Sequence, residues 1–540
     1  MKALNKKSKL ERSRGVDLTT GQADSARYFS TGSSSVPVVK STTGSRFLCF
    51  DFLFRAFIYV LPGILFFSYQ PLIHFAANES MNFEISLPLI WLVLFDALVT
   101  VMLVRRGKFW KGILKHWVWL LLPLWLTASV LWSLNPVRGL LTVGILWLIY
   151  LAGYGFFSLR SLFKEVGFWE KFWKVFFGST LVICVWCFVQ CILDLSGVSR
   201  EASLMCAGCT YQMFGFPHPD GFAIEPQFMG NLLLAPALIA AWLILKRQNV
   251  KSATGSHFLS SKLLLFCFFI ISMTLFLIFS RGAIYAFLVG LFVMTVWEMW
   301  QSRKWRAVVV WPMVVGAFIF TLCIQGMMAA ASPTSDTFQS GVAKVLNHLT
   351  LGVVDVREPE NARITEVEVV EKPVENSVGG EEIKADISDK NSQISDAVEQ
   401  RAAFDGYVAE STDTRLRLSG AAMNIWSSDF KTALFGVGLG GAGQALYVNG
   451  LSPAPKEIVQ NQYISLLLES GIVGVVLVVL TLTLVVRAMW RSPWRVVLVS
   501  LLVAYGISLL FFSGLPNALQ IYLLPALICV LSGVRMQNKR

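Results

Sequence analysis

Residues 260–281 read SSKLLLFCFFIISMTLFLIFSR. Between Lys262 and Arg281 no side chain carries a formal charge, and at about 1.5 Å rise per residue the run matches the roughly 30 Å hydrocarbon core of a bilayer. Working outward, runs of the same kind lie near 56–75, 87–104, 113–134, 137–158, 172–194, 226–245, 282–300, 307–327, 461–486, 494–512 and 516–534. The 540-residue chain is 55% hydrophobic and only 15% charged, where a soluble fold of this length exposes far more charge. The expected fold class is an all-α polytopic membrane protein of about a dozen transmembrane helices, with one large external loop between the ninth and tenth.

The formal charge of +12 invites a nucleic-acid reading, but the basic residues sit in short clusters between apolar runs. That distribution suits anionic lipid and topology control, and no nucleic-acid partner is expected. Counting alternate connections, one side collects Arg105, Arg106, Lys108, Lys111 and Lys115, then Arg160, Lys164, Lys171 and Lys174, then Lys246, Arg247, Lys251 and Lys262. Arg303, Lys304, Arg306, Arg487, Arg491, Arg495, Arg535, Lys539 and Arg540 continue the same side. The short connections of the opposite side hold only Arg138, Arg200 and Arg281. The positive-inside rule therefore expects both termini in the cytoplasm of an inner membrane.

The organisation expected is a basic, disordered cytoplasmic tail over 1–50, membrane helices over 51–327, an external loop over 328–460, further helices over 461–534 and a short tail over 535–540. No cleaved signal peptide is read in the first 50 residues. Within the loop, 355–410 has 15 acidic and 6 basic residues, too little apolar surface to order itself. Its flanks, Ser335–Leu351 and Thr414–Trp426, have apolar residues at helical spacing. Cys184, Cys187 and Cys191 share one apolar run and read as packing residues. Cys206 and Cys209 form an external CxxC, better suited to a small disulfide than to metal or catalysis. Asp96, mid-helix in the second run, is expected to have a structural partner rather than a proton-relay role.

Arg281 stands against the charge trend of its side. A snorkelling arginine would mark the interface, but a cation so placed also suits an anionic ligand. Ser280-Arg281-Gly282-Ala283 at a helix end, followed by a large external loop, resembles the O-antigen ligase/O-antigen polymerase superfamily of bacterial envelope glycosyltransferases. A second block, Thr414-Arg415-Leu416-Arg417-Leu418 with Ala421-Ala422-Met423 and Leu434-Phe435-Gly436-Val437-Gly438-Leu439-Gly440, is similar to the family's arginine, amphipathic helix and GxG turn. A third runs from Gln460-Asn461-Gln462-Tyr463 into Leu468-Glu469-Ser470-Gly471-Ile472-Val473-Gly474. The likeness extends from about Trp132 to the C-terminus.

The resemblance implies an undecaprenyl-diphosphate-linked oligosaccharide as substrate and a transfer to an acceptor hydroxyl that needs no metal or cofactor. Arg281 and Arg415 match the family's arginines, and guanidinium groups grip diphosphate oxygens with paired donors and permanent charge. Arg417 follows on the same segment, and with Asn461, Glu469, Arg138 and His218 it makes up the candidate substrate-binding set. Ligases of the family usually carry a histidine where this chain has Gln460, and glutamine orients a hydroxyl without taking its proton. Glu225, at an outer helix start, is the best substitute base; His218 and His348 are reserves.

A polymerase of lipid-linked repeat units is the leading expectation, with Gln460 favouring it over a ligase acting on a lipid or protein acceptor. A lipid-linked glycan transporter fits less well, since no inverted symmetry of halves is visible. A sensor or scaffold would suit a compact loop rather than an acidic one. Membrane lipids and a flippase or chain-length regulator are the further partners expected. A reporter fused after Ala409 should be active only outside the cytoplasm and one after Lys251 only inside; cytoplasmic activity of the Ala409 fusion would overturn the topology.

Overall fold

The computed structural model describes residues 43–68, 71–76, 82–107, 117–164, 167–198, 216–223, 225–249, 260–302, 308–331, 337–350, 414–452, 459–490, 492–514 and 518–537, with a few isolated positions between them. Its contacts separate Met1–Phe47 from Leu48–Arg540, and of the first unit only the start of the first helix is described. The tail before Thr43, the acidic insert, Arg200 and the Cys206–Cys209 pair lie outside the described residues.

Every apolar run of the sequence holds a helix. In chain order these are α1 (Thr43–Ile64), α2 (Leu87–Arg105), α3 (Leu121–Ser129, extended by a 3₁₀ turn at each end), α4 (Pro136–Ser158), α5 (Phe168–Leu195), α6 (Pro226–Asn249), α7 (Ser261–Ile278), α8 (Arg281–Ser302) and α9 (Val310–Ala331). The loop flanks supply α10 (Phe338–Leu349), α11 (414–426), α12 (Phe430–Phe435) and α13 (Ala442–Val448), before α14 (Gln462–Trp490), α15 (Arg495–Ser508) and α16 (Leu519–Gln537). Among the described residues nine helices are long and apolar enough to cross a bilayer; three shorter apolar helices, at Trp117–Trp132, Arg495–Ser508 and Leu519–Val530, complete the set.

Two expectations are corrected. The run near 56–75 is not one helix: α1 ends at Ile64, and Pro71–Ala76 is a strand, β1, paired antiparallel with β2 (Asn82–Ser86). After the 3₁₀ turn Leu65–Phe67, Pro71 lacks an amide hydrogen and disfavours helix at the residue before it, so the helix does not resume across the apolar stretch that follows. Asp96 is buried, and neither of its carboxylate oxygens has a hydrogen-bond partner among the described residues. The neighbouring contacts of α2 are apolar, Phe95 on Phe156 and Val99 on Gly155 of α4, so the expected partner is missing.

The bundle is built around α6, which packs on α7, α8 and α15. Ala235, Ala237, Ala240 and Ala241 are all fully buried, and small side chains let neighbouring helices approach closely. Where α6 crosses α15, the Ser508 hydroxyl donates to Asn231 Oδ1, a buried polar contact between the two helices. Cys184, Cys187 and Cys191 are buried free thiols on α5, as expected of packing residues.

By contrast, α14 is largely turned out of the bundle, with 11% of its most apolar window buried. It breaks at Gly471, whose φ of +63° and ψ of −171° no helix contains. A break orphans the carbonyls of the turn before it. Here Leu468 O accepts from Val437 N (2.9 Å), Glu469 O from Gly438 N (3.0 Å) and Ser470 O from Trp125 Nε1 (3.4 Å). The approach is close enough that a Cβ on Gly471 would strike the Leu434 carbonyl, and one on Gly436 would strike the backbone of Glu469. Gly471→Ala adds that collision to about 1–3 kcal/mol for a backbone region open essentially only to glycine, so its melting temperature in detergent should fall measurably; an unchanged melt would show that the break is not fixed by glycine.

Candidate functional site

The first arginine is placed by a break in the backbone. Helix α7 ends at Phe279, which has φ +60° and ψ +28°, the left-handed region where a bulky side chain is rare and costs about 1–2 kcal/mol. The chain turns at Ser280, and Arg281 begins α8. The buried Phe279 ring holds this turn: its centroid is 4.6 Å from that of His348 on α10, and 5.9 Å from both His218 and Phe216. The Tyr285 hydroxyl donates to the Leu349 carbonyl, tying α8 to the end of α10.

His218 belongs to the segment 216–223, which α5 holds in place. The buried Gln190 donates through Nε2 to Asp220 Oδ1 (3.0 Å) and to the Gly221 carbonyl (2.9 Å), and accepts from Gly221 N (2.9 Å). Burial pushes the His218 imidazole down to about 3, against hydrogen bonds with the Ile278 and Phe279 backbone that favour its charged form. His348 is also held far below its ordinary value, by burial first and then by Arg281, His218 and Arg415. Both imidazoles are therefore neutral at any working pH, and the positive charge of the site resides on its guanidinium groups.

Arg415 lies near the start of α11, and its Nε donates to Gln460 Oε1 at 2.7 Å. The buried face of α11, with Leu418, Ala421 and Ala422, joins Ala442 and Leu446 of α13, Val459 and Leu468 in one apolar cluster. Arg417 is two residues on, about 200° around the helix, and is exposed; α11 does not bring it to Gln460 as it does Arg415. Glu225 precedes α6 and remains exposed, yet enough protein surrounds it that burial raises its pKa, against the pull of Arg415.

Arg281, Arg415 and His218 all act electrostatically on His348, and Arg415 links this group to Gln460 by its hydrogen bond and to Glu225 through its charge. The other candidates are engaged differently. Asn461 caps α14, its Oδ1 accepting from Tyr463 N (3.0 Å) and Ile464 N (3.3 Å). Arg138 and Glu469 meet at the glycine-rich turn rather than among the histidines, Arg138 acting electrostatically on Glu469.

Several contributors went unread in the sequence. Gln462 accepts from Gly514 N (2.7 Å) and Ser513 Oγ (3.2 Å), drawing in the segment after α15, whose Phe511 packs over Gly282. Gln190, a lone amide between Cys187 and Cys191, carried a readable signal, since a polar group in an apolar run needs a partner. Nothing in the sequence marks Phe279 as left-handed.

With this geometry in place, the chain is a helical membrane protein whose cationic constellation sits at helix starts and breaks. Residues 266–479 match the family model described as O-Antigen ligase, which supports the likeness of that part of the chain to the O-antigen ligase/polymerase superfamily. The match takes in Arg281, Arg415, Gln460 and Glu469 and leaves Glu225, His218 and Arg138 outside. No curated protein matches the chain.

A base at Glu225 has a definite pH signature. Its active form is the carboxylate, and its pKa is raised from 4.5, so the rate should climb with pH through a midpoint above that value. Glu225→Gln should abolish the limb together with most activity, and no inflection should appear near the ordinary histidine value, because His218 and His348 are already neutral there. A purified-protein pH profile unchanged in Glu225→Gln would remove Glu225 from this role.

Proposed function

We propose that the chain is an envelope glycosyltransferase that polymerises oligosaccharide repeat units carried on undecaprenyl diphosphate, at the outer face of the bacterial inner membrane. In this reading all twelve apolar helices cross the bilayer, both termini are cytoplasmic, and the constellation faces outward. The observation that carries it is that Arg281 and Arg415, from segments far apart in sequence, both act electrostatically on His348, with Arg415 hydrogen-bonded to Gln460.

In the transfer, the acceptor hydroxyl oxygen bonds to the anomeric carbon as the bond from that carbon to the diphosphate oxygen breaks. The electron pair leaves with undecaprenyl diphosphate, and the proton passes to Glu225. Arg281 and Arg415 hold the diphosphate and stabilise the charge growing on it, a task that preorganised cations perform without a metal. With its Oε1 engaged by Arg415, Gln460 presents its amide N–H groups to acceptor or phosphate oxygens. Arg138 is a third cation for the lipid-linked substrates, and Arg417 a peripheral one.

The alternative is a ligase that moves the finished glycan to a lipid or protein acceptor, which the description of the matching family favours. The lipid-linked species that accumulates on deletion separates the two: single repeat units for a polymerase, polymer for a ligase.

Arg281→Ala and Arg415→Ala should each lower glycan chain formation about a hundredfold, the rate equivalent of roughly 3 kcal/mol. Arg→Lys keeps the charge but loses the fork and should stay impaired. Gln460→Ala should be milder and Gln460→His tolerated, while Arg200→Ala, outside all three blocks, should be nearly silent. Full activity of both arginine-to-alanine variants at normal protein level would refute the diphosphate clamp.

A further inference from the structure

Glu469 lies two turns into α14, just before the break at Gly471, where a carboxylate invites a role in substrate binding or proton transfer. Its surroundings indicate another use. The carboxylate accepts from the backbone N–H groups of Gly440 and Ala442, with Ala442 N 3.4 Å from Oε1, and its own carbonyl accepts from Gly438 N. Gly440 has φ +79° and Gly441 a right-handed φ of −86°, the alternation that turns successive N–H groups toward one anion. The acceptor in this nest is the protein's own side chain. The opposite side of the same turn is fastened to the α3–α4 corner, where Ser133 Oγ donates to Leu439 O (2.8 Å) and Leu134 N to Val437 O (3.3 Å).

Ala442, held by Glu469, is the first residue of α13. Through Ala442 and Leu446, α13 shares the apolar cluster of Leu418, Ala421 and Ala422 on α11, and α11 carries Arg415. We propose that Glu469 is a positioning residue for Arg415: by filling the nest at Gly440–Ala442 it fixes α13, and α13 fixes the helix that aims the guanidinium. This rests on the reading of Arg415 as the diphosphate ligand, and it assigns Glu469 no contact with substrate and no proton to carry.

The roles separate by what each substitution preserves. Glu469→Gln keeps a carbonyl oxygen able to accept from the turn but removes charge and basicity, whereas Glu469→Ala leaves buried N–H groups unmade. For a positioning residue, Glu469→Gln should retain kcat within about fivefold, and Glu469→Ala should lose about tenfold to a hundredfold. In an Arg415→Ala background, adding Glu469→Ala should cost less than about twofold, since nothing remains to be positioned. The measurement is single-turnover transfer with purified protein and lipid-linked repeat units, with thermal melting to confirm that each variant folds. If Glu469→Ala does not fold, the Glu469→Gln and Arg415→Ala/Glu469→Gln pair carries the comparison. Glu469→Gln as inactive as Glu469→Ala, or losses that multiply in the double variant, would overturn the proposal while leaving the arginine clamp standing. Full activity of Arg415→Ala alone would overturn both.

Discussion

A membrane helix that breaks inside the bilayer must find new donors for the carbonyls it orphans, because no water is there to take them. The break of α14 at Gly471 places that demand on this chain, and the glycine-rich turn 436–441 meets it with the N–H groups of Val437 and Gly438. Much of the site end follows. The turn must lie flat against α14, which only glycine permits at Gly436. It must also be held from its other side, and Ser129, Ser133 and Leu134 at the α3–α4 corner do so. Helix α11 then packs on the assembled platform of α13 and α14, bringing Arg415 to Gln460. A covalently distant arginine thus becomes a fixed one without being built into a membrane helix.

Arg281 is placed by a second break with the opposite economy. At Gly471 glycine makes the left-handed geometry inexpensive; at Phe279 the chain uses a bulky residue in that region, where the conformation persists only if its surroundings over-determine it. The rings of His348, His218 and Phe216 around Phe279 supply that determination. The two histidines therefore serve the arginine indirectly, as neutral packing groups that define the turn ahead of it.

This explains which parts of the molecule were legible in the sequence. Bilayer thickness imposes run length directly, so the membrane helices could be read from apolar runs, and the failure at Pro71–Ala76 came where hydrophobicity continued past the end of α1 into a strand. Arg281 was legible because it violates the charge trend, and Arg415 because helical spacing surrounds it. The association of His218 with His348 was not, since it depends on the left-handed Phe279 and on Gln190 grasping the backbone at Gly221, and neither leaves a periodic mark. Glu469 was visible as an intramembrane carboxylate, but sequence could not show that its lone pairs face the protein's own N–H groups.

The neutrality of the histidines has a further consequence for the chemistry. Two imidazolium groups beside Arg281 and Arg415 would add like charges in a partly buried space, raising the cost of keeping the empty site folded. Burial keeps both imidazoles uncharged, so the cations present are those that cannot lose their charge. On the proposed reading, a diphosphate entering the site would meet guanidinium charges that do not titrate, carried by groups with fixed fork geometry. Glu225 is a titratable carboxylate in the same field, its pKa raised by burial against the pull of Arg415. Binding of an anion beside Arg415 offsets that opposition and raises the proton affinity of Glu225 further. On the proposed function, the acceptor's proton would therefore meet a stronger base once the donor diphosphate has arrived.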